Sequence, residues 1–141
     1  MPFRLADWKK MLRRLAFARE QLARFAADPD DRNSLDMAVI SIWTVAEYAV
    51  NVLLELRGMK KEQWHRMHDR ADELRAGGTL RGDYGKRLEQ LEGYRLTAGY
   101  AGYVRNASVH YSRRNVEDCL TSIEELCAEV EAALRDARKL P

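Results

Sequence analysis

Three side-chain types able to act on a phosphate ester fall within eight residues of this chain, "YVRNASVH", positions 103–110. Arg105 carries a permanent planar cation that can hold two phosphate oxygens at once. His110, one of three histidines in the chain, titrates near neutrality and suits proton transfer. The Asn106 amide can orient either of them. Arg105 and His110 are five positions apart, a turn of about 500° on a continuous α-helix that leaves their side chains about 140° apart. They cannot share one helix face. They converge if the segment begins in a turn, or if His110 of one chain meets Arg105 of a second across a symmetric dimer. The plainer alternative is that Arg105 caps the carbonyls of a preceding helix and His110 merely opens the next one.

Other chemistry-bearing residues are fewer. "EQWHRMHD" sets Glu62, His65, His68 and Asp69 within two helical turns. A Glu-x-x-His pair is the unit of carboxylate-bridged dimetal bundles, but such sites need a second pair and two further inward glutamates. No second pair exists here, and the segment is charged throughout, so an exposed helix face without a metal is expected. Glu47 lies in the middle of the most apolar stretch, where a charge needs a partner; Arg105 is the expected one. The sequence has no glycine-rich phosphate loop, no Cys-x-x-Cys and no serine in a nucleophile elbow, which excludes most enzyme classes. Cys119 and Cys127 lie eight apart on one predicted helix, about 12 Å along its axis, too far to pair without unwinding it. A disulfide framework is not expected, in keeping with a reducing compartment.

The net charge is +2, yet its distribution is uneven. Residues 1–27 hold seven Lys/Arg against two acids, and residues 28–56 hold six acids against one arginine. Between 96 and 115 there are three arginines and no acid, and the tail from 116 is net −4. The histidine segment, with Arg113 and Arg114 just beyond it, is a basic island ahead of an acidic helix. A basic island suits a polyanion; the alternative is a solvated loop.

These residues must be positioned by helices. At 141 residues with 46% hydrophobic and 33% charged content, the chain is expected to form one domain over residues 1–141. Leu5, Trp8, Leu12, Leu15, Leu22 and Phe25 predict an amphipathic helix over 3–27 that ends at "AADPDD". Asn33 or Ser34 is expected to cap a second helix running to Gly58. Its apolar middle approaches the length of a membrane span, but Glu47 and Asn51 near its centre favour a core helix, covered by its own chain and a second copy. A third helix is expected over 60–78, ending at Gly77-Gly78. A fourth over 84–104 is interrupted by glycines 93, 99 and 102, which would admit another backbone closely. A fifth from about Asn115 to Lys139 would bury Val116, Leu120, Ile123, Cys127, Val130 and Leu134. The expectation is an all-α, four- to five-helix up-and-down bundle. The N-terminal residues show no apolar run of signal-peptide length, so a cytoplasmic protein with no membrane association is expected.

The segment "YVRNASVHYSRRNVEDCLTSIEELCAEVEAAL" resembles the C-terminal half of HEPN domains (higher eukaryotes and prokaryotes nucleotide-binding). Their signature is an arginine, a polar residue, then a histidine, with four to six residues between the arginine and the histidine, at the start of the last amphipathic helix. Arg105, Asn106 and His110 fill those places, and the long apolar helix before them fits the same all-α fold. The resemblance implies a metal-independent endoribonuclease without cofactor, acting as a toxin or in defence, whose two motifs meet in one cleft of a homodimer. Arg105, Asn106 and His110 would then be catalytic. Arg113, Arg114 and Tyr111 would bind the RNA substrate, and Glu47 would support the arginine. An antitoxin, of nucleotidyltransferase or another type, is the implied partner. In one toxin group paired with a nucleotidyltransferase, a tyrosine two places after the histidine is modified. Ser112 stands there in this chain, a departure from control by AMP transfer. The alternative is a HEPN-like module without catalysis that serves only dimerisation or partner binding; the Arg-Asn-x3-His pattern favours the enzyme.

Overall fold

Steps of three and four separate Trp8, Met11, Leu15, Ala18 and Leu22, and these, with Gln21 beside Leu22, are the residues the first helix buries. That spacing makes a narrow seam rather than a broad apolar face. Leu5 and Leu12, expected in the seam, stand beside it at 38% and 43% exposure, while Met11 and Ala18 take the inner positions. The computed structural model describes residues 3–62, 66–100 and 110–141. Its helices are α1 (Leu5–Ala27), α2 (Arg32–Leu56), α3 (Met67–Ala76), α4 (Gly85–Tyr100) and α5 (Arg113–Asp136). No strand occurs among the described residues, so the all-α class is as expected.

Asp31, rather than Asn33 or Ser34, caps α2. Its carboxylate accepts from the Ser34 N–H at 3.3 Å and from the Ser34 hydroxyl at 2.7 Å. The helix then supplies the centre of the core: Leu35, Val39, Ile42, Trp43, Val50 and Leu53 are almost fully buried. By length and composition α2 could cross a membrane, but 67% of its most apolar window is buried inside the protein. Gly58, at φ +67°, closes its end by allowing the Met59 N–H to return to the Leu54 carbonyl at 2.8 Å; a side chain is strained at that φ.

Long-range contacts set the helix directions. Asp7, Lys10 and Arg14 of α1 lie against Thr44 and Tyr48 of α2, so the two run antiparallel. The Arg87 guanidinium of α4 reaches the Ser122 hydroxyl of α5 at 3.2 Å, and the Tyr94 and Tyr111 rings meet at a tilt with their centres 5.2 Å apart, so α4 and α5 are antiparallel too. The Tyr111 hydroxyl reaches Asp36 at one end, and Leu53 and Ala133 line one hollow at the other, so α2 and α5 are parallel. The short α3 departs from strict alternation. It runs antiparallel to α4, with Arg75 pairing with Asp83 at 3.2 Å and His68 3.9 Å from Glu92. It therefore points the same way as α2.

The third helix starts later than its charge pattern suggests. Asn51 of α2 accepts from the Glu62 N–H at 2.9 Å and donates to the Glu62 carbonyl at 3.4 Å. A residue whose backbone is held on both sides by another helix cannot join a ladder of its own. Glu62 thus precedes α3, its carboxylate 3.6 Å from Arg70, whereas His68 and Asp69 lie on the helix. His65 falls outside the described residues. Through Gly93 and Gly99 α4 stays helical, and a Cβ at Gly99 would meet nothing within 4 Å. The close approach expected of these glycines is therefore not made at Gly99 among the described residues; Gly102 lies outside them.

All six residues expected in the α5 stripe are buried, joined by Cys119 and Leu126. Both cysteines are free thiols. Burial pushes Cys119 up to about 11 and Cys127 up to about 12, and Cys127 Sγ sits 3.8 Å from Met11 Sδ. Across the groove from α5, the Arg81 and Gly82 N–H groups and the Tyr84 hydroxyl all donate to the Glu129 carboxylate. Burial raises that acid, but the three donors outweigh it and leave the group below its ordinary range.

Candidate active site at the mouth of α5

The start of α5 is built from three successive residues with three different tasks. Ser112 adopts an extended conformation and caps the helix: its hydroxyl accepts from the Asn115 N–H at 3.2 Å, while Asn115 Oδ1 accepts from the Ser112 N–H at 3.0 Å. This is a reciprocal capping box with asparagine in the place usual for glutamate or glutamine. Ser112, two places after His110, is thus the helix cap.

Tyr111, one residue earlier, turns into the core and is 4% exposed. Its hydroxyl donates to the Asp36 carboxylate of α2. Its carbonyl accepts from the Arg32 guanidinium at 3.0 Å, and the same guanidinium lies 4.7 Å from the centre of its ring. Arg32 also lies 3.8 Å from Asp36. Burial, reinforced by the bond to Asp36, raises the Tyr111 hydroxyl well above its ordinary value. A ring held this way is not presented to a substrate, so Tyr111 anchors the segment where a binding role was expected.

His110, next to this anchor, is exposed. Arg113 and Arg114 are also exposed. Arg113 pairs with Glu117 at 3.1 Å along the helix, and Arg114 has no ion pair among the described residues. Three polar residues able to meet a phosphate thus project from one helix start, near an α2 N-terminus whose first residue, Arg32, is a further cation.

Arg105 and Asn106 lie outside the described residues, as does any pairing of Glu47 with Arg105. Glu47 itself is half-buried on α2. Sequence reasoning missed Arg32 and Asp36, whose contacts to Tyr111 span 79 and 75 positions. The one available signal was their i, i+4 spacing. No group of three metal-ligating residues occurs among the described residues. Comparison with protein-family models, with curated proteins and with solved structures finds no match to this chain.

Proposed function

We propose that the chain is a HEPN-type endoribonuclease of the cytoplasm, working as a homodimer in a toxin or defence role, without metal or cofactor. The observation that carries this reading is the exposed His110 beside a buried, doubly bonded Tyr111 just ahead of a capped helix. Rigid support beneath an exposed titratable group is what proton transfer needs. Cleavage would proceed by attack of the RNA 2′-hydroxyl on the adjacent phosphorus, with loss of the 5′-oxygen. One imidazole removes the hydroxyl proton, and the His110 of a second copy supplies a proton to the leaving oxygen. Arg105 stabilises the pentavalent phosphate, and Asn106 orients the group beside it. The two histidines come from two subunits, which also answers the divergence of Arg105 and His110 on a single helix.

The test is cleavage of a single-stranded RNA in EDTA by the wild type and by His110→Ala. A loss of at least about 10²-fold is expected, the usual contribution of a general acid or base. Equal, negligible activity in both would leave the non-catalytic dimerisation or partner-binding module standing, and a requirement for added divalent metal would rule out the mechanism.

A further inference from the structure

Along α2, Met37, Ile40, Thr44, Tyr48, Asn51 and Glu55 are all half-buried. Their steps of three and four make one continuous seam left open between neighbouring helices. The seam begins beside Asp36, where Tyr111 anchors the candidate site. Thr44 lies eight residues further, about 12 Å along the axis, and Tyr48 about 18 Å. There the seam opens into a hollow of about 300 Å³ lined by Asp7, Lys10, Met11, Arg14, Thr44 and Tyr48.

The hollow is electropositive. Arg4 holds the Asp7 carboxylate with bonds of 2.9 and 3.1 Å, so that acid is neutralised locally. Lys10 and Arg14, one helical turn apart, have no ion pair among the described residues. Lys9 and Arg13 continue the positive charge on the exposed side of α1. Two side-chain hydroxyls complete the lining: Thr44 donates its proton to the Ile40 carbonyl at 2.9 Å, which leaves Tyr48 as the donor to a ligand. Burial pushes Tyr48 up to about 12, so it keeps its proton and can donate. Two cations and a hydroxyl donor around a concave space match a phosphodiester oxygen pair. A flat lipid headgroup plane would meet the outer α1 residues but would not enter the hollow.

We propose that Lys10 and Arg14, with Tyr48, form a second phosphate-binding position for the RNA strand that the His110 site cleaves. The position grips the strand about 12–18 Å along α2 from the anchor of that site. The assignment rests on the ribonuclease reading for its ligand, but its test is a binding measurement that does not depend on cleavage.

The test uses a fluorescent single-stranded RNA of about 20 nucleotides, titrated in EDTA at 50–200 mM salt. The protein is the His110→Ala chain, with and without Lys10→Gln and Arg14→Gln. Each phosphate contact to a single strand contributes about 0.7 to the slope of log affinity against log salt. Neutralising both cations should lower that slope by about 1.4, so that the parent loses about sevenfold more affinity across the salt range than the variant does. Arg138→Gln with Lys139→Gln, at the far end of α5, serves as the charge control and should leave the slope unchanged. An unchanged slope in the Lys10/Arg14 variant, an equal loss in the control, no RNA binding by the parent, or tighter binding to phosphatidylserine vesicles than to RNA would each overturn the proposal. Should the double variant lose its helical circular dichroism, Lys10→Gln alone is expected to remove about 0.7. RNA binding that depends on Lys10 and Arg14 in a wild type that cleaves nothing would defeat the ribonuclease reading, and with it the assignment of this position to a cleaved strand, while the contact of Lys10 and Arg14 with RNA would stand.

Discussion

His110 is set by what holds its neighbour. The Tyr111 ring contributes apolar packing, while its hydroxyl and carbonyl are tied to Asp36 and Arg32 of a helix far away in sequence. Tyr111→Phe keeps the ring and removes the donor to a carboxylate, which should lower stability by about 1–3 kcal/mol. In urea denaturation, Tyr111→Phe and Asp36→Asn should fall well short of additive. A double variant whose loss equals the sum of the singles within about 0.5 kcal/mol would show that the pair is not coupled. At this scale the sequence was only partly legible. Arg113, Arg114 and His110 carry charge or polarity that can be read directly, and their exposure follows. The direction of Tyr111 could not be read, because it depends on contacts to Arg32 and Asp36 of a distant helix. Helical periodicity extended back from Val116 misplaces it.

Element boundaries followed the local chemistry where that chemistry was local. The ends of α1 and α2 sit at the Asp28–Asp31 turn that Pro29 announces, and α5 begins at a serine cap. Replacing Ser112 with alanine leaves the Asn115 N–H without its acceptor and should lower stability by about 1 kcal/mol. For a domain of this size that corresponds to about 2–4 °C in the melting midpoint. An undisturbed midpoint would mean that the box contributes nothing to the start of α5. Ser112→Gly should lose only a few tenths of a kcal/mol, a contrast that separates capping from any other role of the hydroxyl. The start of α3 was illegible for the opposite reason. Its limit is imposed by Asn51, eleven positions earlier on a different helix, and no window centred on residues 60–67 contains that constraint. The α1 seam was half legible: leucine spacing showed the helix, but only packing shows that Met11 and Ala18, not Leu5 and Leu12, face α2 and α5.

For the molecule as a whole, the apolar middle of α2 forecast a helix enclosed on several sides, and α1, α4 and α5 supply that enclosure. Its buried residues belong to one core cluster to which every helix contributes. Cys119 and Cys127 belong to that cluster as well, two turns apart on α5. A thiol reacts as its thiolate, and burial keeps both of these protonated and covered. Neither sulfur therefore meets an alkylating reagent until the core comes apart, so the pair forms an internal clock for global opening. With iodoacetamide in enough excess to outrun reclosing, intact-mass spectra should pass from unlabelled to doubly labelled chains without accumulating a singly labelled species. A singly labelled population would show instead that one end of α5 opens ahead of the other.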